Sequence, residues 1–84
     1  MACYNIMAVL LEKRIEGAVD VQNVFTKYGC IVKVRLGLHE TSNVCSNEGL
    51  IILQLDGDKK EIQAFEDQLT SIEGVKVKVM EICS

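Results

Sequence analysis

An α+β sandwich, one antiparallel sheet of four strands with two helices on one face, is the fold class this sequence predicts. Three observations predict it. The chain divides into two matched halves, each a β-like segment, an amphipathic helix and a second β-like segment: residues 4–11, 17–28 and 31–38, then 50–56, 59–70 and 75–82. Apolar residues alternate within the β-like segments and recur at helical spacing between them. Proline is absent and no linker-like composition interrupts the chain, so residues 1–84 read as a single domain.

The first strand has Tyr4, Ile6, Ala8 and Leu10 on one face and Asn5, Met7, Val9 and Leu11 on the other. Two apolar faces predict a central strand, or one whose second face is covered by a partner. The polar run Glu12–Arg14 ends it. Ala18, Val21, Val24, Phe25 and Tyr28 form the apolar stripe of the first helix, and Gly29 is placed to stop it with a positive φ. In the second strand Val32, Val34, Leu36 and Leu38 are expected to face the helices, with Ile31, Lys33, Arg35 and Gly37 opposite. In the third, Ile51, Leu53 and Leu55 point inwards and Leu50, Ile52 and Gln54 outwards. Asp58 and Glu61 have the spacing of a capping box for the second helix. That helix presents Ile62, Phe65, Leu69 and Ile72 and closes at Gly74. Val75, Val77 and Val79 give the last strand its inner face, with Lys76, Lys78 and Met80 outside.

Right-handed crossovers in both halves and a hairpin between the second and third strands fit a ferredoxin-like βαββαβ sandwich with sheet order 4-1-3-2. The first and last strands then pair antiparallel, which brings Cys3 and Cys83 together as a candidate thiol pair, for a disulfide or shared ligation. Small buried hydrophobes at element ends are the simpler reading of these cysteines. The four cysteines form no CxxC pair, and reduced thiols are expected.

With 84 residues there is room for one core, and a hydrophobic content of 49% exceeds what one small core needs. That surplus predicts a homo-oligomer, a homodimer or homotetramer. A net charge of −3 argues against direct nucleic-acid binding, which draws on clustered Lys and Arg. No apolar run approaches the ~20 residues of a membrane span, and no signal-peptide pattern opens the chain, so a cytoplasmic location is expected.

Eleven residues, His39–Gly49, separate the second and third strands, against about two to five in most hairpins. His39, Cys45, Glu40 and Glu48 are candidate ligands for a metal or small effector, since imidazole and thiolate suit borderline-soft cations and carboxylates can join them. One His and one Cys leave a tetrahedral site incomplete, so symmetry-related chains or the carboxylates would have to complete it. The competing reading is a polar loop that packs against a neighbouring subunit. A Cys45 nucleophile with His39 as base has no third orienting group. No carboxylate pair suggests acid–base catalysis, and a non-enzyme is expected.

The exposed face of the sheet is expected to combine Lys33, Arg35, Lys76 and Lys78 with Met7, Val9, Ile31, Ile52 and Met80. An RNA-binding sheet would place aromatic side chains on its central strands. Here Asn5, Met7, Val9, Ile52 and Gln54 stand there, so an oligomer interface with lysines at its rim is the better reading.

Several short segments in fixed order carry a family resemblance: Lys27–Tyr28–Gly29, Arg35–Leu36–Gly37–Leu38–His39, Gly49–Leu50–Ile51–Ile52, Asp56–Gly57–Asp58 and Ile72–Glu73–Gly74–Val75. In these the chain resembles the iron-only hydrogenase system regulators, small bacterial proteins, over essentially its whole length. The resemblance implies a ferredoxin-like fold similar to ACT domains and to the C-terminal domain of nickel-responsive regulators. It further implies association through sheets and loops, with small molecules or metals bound at subunit interfaces. The cofactor is left open, with nickel and zinc as the candidates if a metal binds. The nickel-responsive domains use several His with a Cys, so His39 and Cys45 alone do not transfer a square-planar nickel site. No DNA-binding element precedes the first strand, so control is expected to act through a partner protein or an effector. The reading is a regulatory or effector-sensing oligomeric module, with a metal-independent protein-interaction adaptor as the alternative.

Overall fold

The computed structural model describes residues 2–12, 14–38 and 49–84. In chain order these form β1 (Cys3–Leu11), α1 (Arg14–Lys27), a 3-10 turn (Gly29–Ile31), β2 (Val32–Leu38), β3 (Gly49–Leu55), α2 (Lys59–Thr70) and β4 (Val75–Cys83). The strands make one sheet in the order β2-β3-β1-β4, with every neighbouring pair antiparallel. This is the expected 4-1-3-2 order read from the other edge, an α+β ferredoxin-like fold.

Local chemistry starts and stops α2. The Asp58 carboxylate accepts from the Glu61 N–H at 2.8 Å, and the Glu61 carboxylate accepts from the Asp58 N–H at 3.5 Å, so two donors that the helix leaves unpaired find partners. Beyond Ser71 the chain turns through Gly74, whose φ of 82° lies where a side chain would be strained. The Gly74 carbonyl accepts from the Glu12 N–H at 2.8 Å, which ties the end of β1 to the start of β4.

The core lies between the helices and one face of the sheet. Met7, Val9 and Leu11 of β1, Leu53 and Leu55 of β3 and Val75 of β4 meet Val21 and Phe25 of α1 and Ile62, Phe65 and Leu69 of α2. Phe65 is fully buried. Its ring takes the Phe25 ring edge-on at 5.9 Å and stacks with Tyr28 at 5.0 Å, so the two helices meet through aromatic packing. The Tyr28 hydroxyl accepts from Gln68 Nε2 at 2.8 Å, which satisfies the polar end of a half-buried ring.

Three expectations are corrected. Met7 and Val9 belong to the core, not to the outer face: both are completely buried, and Met7 pairs in register with Leu53 on one side and Val79 on the other. Neighbouring residues in register share a face, so Ile6, Ala8 and Leu10 take the opposite one. In β2 the inward alternation fails after Val32. Val32 pairs with Leu55 and Val34 with Gln54, so Lys33 is an extra residue in the ladder, a β-bulge. The bulge inverts the phase of the rest of the strand. Val34 and Leu36 turn outwards, and Arg35 turns to α1, its guanidinium 4.7 Å from the Phe25 ring centre. Gly29, finally, opens the 3-10 turn, and among the described residues the positive φ falls at Gly74 alone.

Gly57 sits where the turn after β3 presses on the 3-10 turn. A Cβ there would lie 2.9 Å from Ile31 Cγ2 and 3.2 Å from Ile31 Cβ, and Ile31 is itself buried. Gly57→Ala is expected to destabilise the fold by about 1–3 kcal/mol in urea denaturation. Gly37→Ala, whose Cβ would meet nothing within 4 Å, is expected to leave the midpoint unchanged or raise it. Met7→Ala is expected to cost about 2–5 kcal/mol in the same assay. A loss below ~0.5 kcal/mol, as at exposed sites, would return Met7 to the surface.

Candidate functional site

Strand pairing decides what is carried by the face of the sheet that no described helix covers. Two rows cross all four strands. Leu36, Ile52, Ala8 and Lys78 form one, and Val34, Gln54, Ile6 and Met80 the other. Leu50, Leu10 and Lys76 continue the face towards one end, and Tyr4 and Ile82 towards the other. Tyr4, Val34, Leu36, Met80 and Ile82 are each 50–53% exposed, and Ile6, Ala8, Leu10, Leu50 and Ile52 are half-buried. The surface is apolar at its centre, with cations along the β4 edge. The Lys76 ammonium lies 3.1 Å from the Glu12 carboxylate, an exposed pair that contributes at most about 1 kcal/mol.

Of the residues expected at an oligomer interface, Ile52, Lys76, Lys78 and Met80 lie on this face. Met7, Val9 and Ile31 are buried and cannot line it. Arg35 packs against α1, where its Nη2 donates to Gln22 Oε1 at 3.4 Å. Lys33 is the bulge residue, its ammonium 3.9 Å from Asp56. Sequence reasoning missed Tyr4, Ile6, Ala8, Leu10, Val34 and Leu36. The missing signal was the register that ties β1 to β4, whose valine–lysine alternation had already fixed an inner and an outer side.

His39, Glu40, Cys45 and Glu48 lie outside the described residues. The strands they connect are adjacent and antiparallel, with Leu38 paired to Leu50.

The cysteines occupy the other end of the sheet. Cys3 and Cys83 face each other in the β1–β4 ladder and are joined by a disulfide, with Cα atoms 4.0 Å apart. Their adjacency was expected from the topology; their exposure and oxidation were not. At the tip of the two-stranded ribbon they lie beyond the residues that form the core, so the buried-hydrophobe reading fails for them. Cys30 is a free thiol and is also exposed. Among the described residues one group of three ligand-type side chains converges: Cys3, Glu81 and Cys83, with donor atoms all within 4.8 Å of one another. No helix among the described residues is long and apolar enough to cross a membrane.

Comparison with known proteins agrees with this architecture. Protein TM1266 from Thermotoga maritima superposes with a TM-score of 0.83 at 24% identity, over 95% of this chain and 96% of that one. The protein CPII from Thiomonas intermedia K12, solved with ADP, AMP and acetate, gives 0.58 at 12% identity over 95% and 86%. Prephenate dehydratase from Streptococcus mutans gives 0.62 at 18% identity over 90% of this chain and 40% of that one. These likenesses show the fold. No curated protein sequence matches the chain. Residues 4–79 match the family described as "TM1266-like: Iron-only hydrogenase system regulator, putative", and this chain belongs to that family.

Proposed function

We propose that the chain is a non-enzymatic, cytoplasmic regulatory or effector-sensing module that works as a homodimer or homotetramer, with the outer sheet face as subunit interface. The apolar outer face is the observation that carries this reading. Four strands at ~4.8 Å and about seven residues at ~3.3 Å make a face of several hundred square ångströms. That is the scale of the largest apolar patches on monomers, and a substantial part of the about 800 Å² per partner of a standard interface. A second copy offers a face of matching size and chemistry. Two such sheets pack about 10 Å apart, with the apolar rows interdigitated and Lys76 and Lys78 at the rim.

The family description favours regulation, and CPII, a fold neighbour called a nitrogen regulatory PII-like protein, was solved with ADP and AMP. An effector held by His39, Glu40, Cys45 and Glu48, nickel or zinc among the metals, would act by binding one assembly state more tightly than another. If the same face recognises a different protein, the chain is an adaptor that needs no metal.

Sedimentation equilibrium tests the interface. The wild type is expected to form dimers or tetramers at micromolar concentration. Leu36→Glu and Ile52→Lys are each expected to raise the dissociation constant at least about thirtyfold while the far-ultraviolet spectrum stays folded. A wild type that stays monomeric at every concentration would overturn the homo-oligomer. For the effector, native mass spectrometry on a Cys3→Ser/Cys83→Ser background should show nickel or zinc retained, and His39→Ala/Cys45→Ala should remove it. Metal retained after the loop substitutions would rule out this ligand set.

A further inference from the structure

We propose that Cys3, Glu81 and Cys83 form a redox-gated site for a thiophilic divalent cation of the zinc class, open when the cysteines are thiols and closed when they form a disulfide. The backbone places the donors. Cys3 and Cys83 stand opposite each other in the β1–β4 ladder, and Glu81, two residues before Cys83, shares their face of the strand. With the disulfide formed, the Glu81 carboxylate lies within 4.8 Å of both sulfurs. A tetrahedral ion with bonds of ~2.0–2.3 Å needs its donors ~3.3–3.8 Å apart, so after reduction side-chain rotation must part the two sulfurs and draw the carboxylate in.

Reduction does not disperse the ligands, because main-chain bonds hold the ribbon on both sides of the pair. Beyond it, the Ser84 N–H donates to the Ala2 carbonyl at 2.8 Å and the Ala2 N–H donates to Ser84 Oγ at 3.2 Å. Before it, Tyr4 pairs with Ile82 and Asn5 with Glu81. The two thiols are thus pre-organised, which lowers the ordering cost of binding. All three side chains are exposed, so a hydrated cation and a reductant can both reach them.

The chemistry of the set chooses the ion. Two thiolates and a carboxylate favour zinc-class ions over magnesium or calcium, which prefer oxygen alone. Three negative charges leave one in excess on a divalent ion, so a neutral ligand such as water suits the fourth position. The competing role is that of a staple, since the bond closes a loop with a sequence separation of 80 and so constrains the unfolded chain.

The switch balances with a dithiol reductant. Its two thiolates displace the cysteine sulfurs in turn; the S–S bond breaks, Cys3 and Cys83 gain two electrons and two protons, and the reductant leaves as a cyclic disulfide. The divalent ion then displaces the two thiol protons into solvent. An exogenous disulfide as oxidant reverses the sequence: the cysteine thiolates attack it, the Cys3–Cys83 bond re-forms, the oxidant takes up the two electrons and leaves as thiols, and the ion is released.

The test uses the full chain carrying His39→Ala/Cys45→Ala, so that the central loop contributes neither imidazole nor thiolate. The protein is reduced with a dithiol, desalted without oxygen and titrated with zinc, read by native mass spectrometry, and with cobalt, read by its thiolate charge-transfer absorption. One ion per chain is expected on the reduced form and none on the disulfide form. Glu81→Gln, which leaves the cysteines in place, is expected to weaken binding at least about tenfold. Cys3→Ser/Cys83→Ser should abolish it, and Cys30→Ser should not. A reduced protein that takes up no metal, or equal binding by the reduced and disulfide forms, would overturn the proposal.

Discussion

The pairing of β1 with both β3 and β4 governs where every other side chain of the sheet can go. Met7 sits between Leu53 and Val79, and Val9 between Ile51 and Val77, so one alternation of β1 joins the inner residues of its neighbours. A slip of one residue would drive Ile6, Ala8 and Leu10 into the core and expel Met7 and Val9. Both sets are apolar, so hydrophobicity within β1 cannot choose between them. The choice is made by β4, where Lys76 and Lys78 cannot be buried unpaired beneath the helices, and by the packing of the core that Met7 and Val9 share with Leu53 and Phe65.

From that register comes an asymmetry that the fold cannot remove. Among the described residues, two helices cover one face of a four-stranded sheet and nothing covers the other. In a domain of this size a bare face is ordinarily polar; here its two central rows carry Leu36, Ile52, Ala8, Val34, Ile6 and Met80. The same logic separates scaffold from site. Phe65, Met7 and Leu53 are fixed by packing density, whereas nothing in the isolated fold requires Val34 and Leu36 to be apolar. Their apolar character is what the proposed contact with a second copy would use. The ribbon tip with Cys3, Glu81 and Cys83 is the second proposed site, distant in sequence from residues 39–48.

How much of this could be read from the sequence varied with the local code. Helix α2 was legible throughout because Asp58, Glu61, Phe65, Leu69 and Gly74 each encode one feature of it. The strand order came from two crossovers and a hairpin, which also placed Cys3 beside Cys83. The inner faces of β3 and β4 were legible from their alternation. β1 was not, since neither of its faces is polar. β2 misled because the bulge at Lys33 has no sequence signature and reverses the alternation of Val34, Arg35 and Leu36. The candidate interface inherited both errors, keeping Ile52, Lys76, Lys78 and Met80 while taking Met7 and Val9 from the core. Exposure of the cysteines was hidden for a different reason: how far a strand pair extends past its helices depends on tertiary packing.

The bare face is tested most directly by intermolecular nuclear Overhauser effects in a mixture of isotope-labelled and unlabelled protein. Methyl groups of Ile6, Leu36 and Ile52 should show contacts to protons of the other copy, while those of Val21 and Leu69, buried beneath the helices, should show none. Intermolecular contacts confined to the helical surface, or absent altogether at millimolar protein, would contradict a second copy on the outer sheet face.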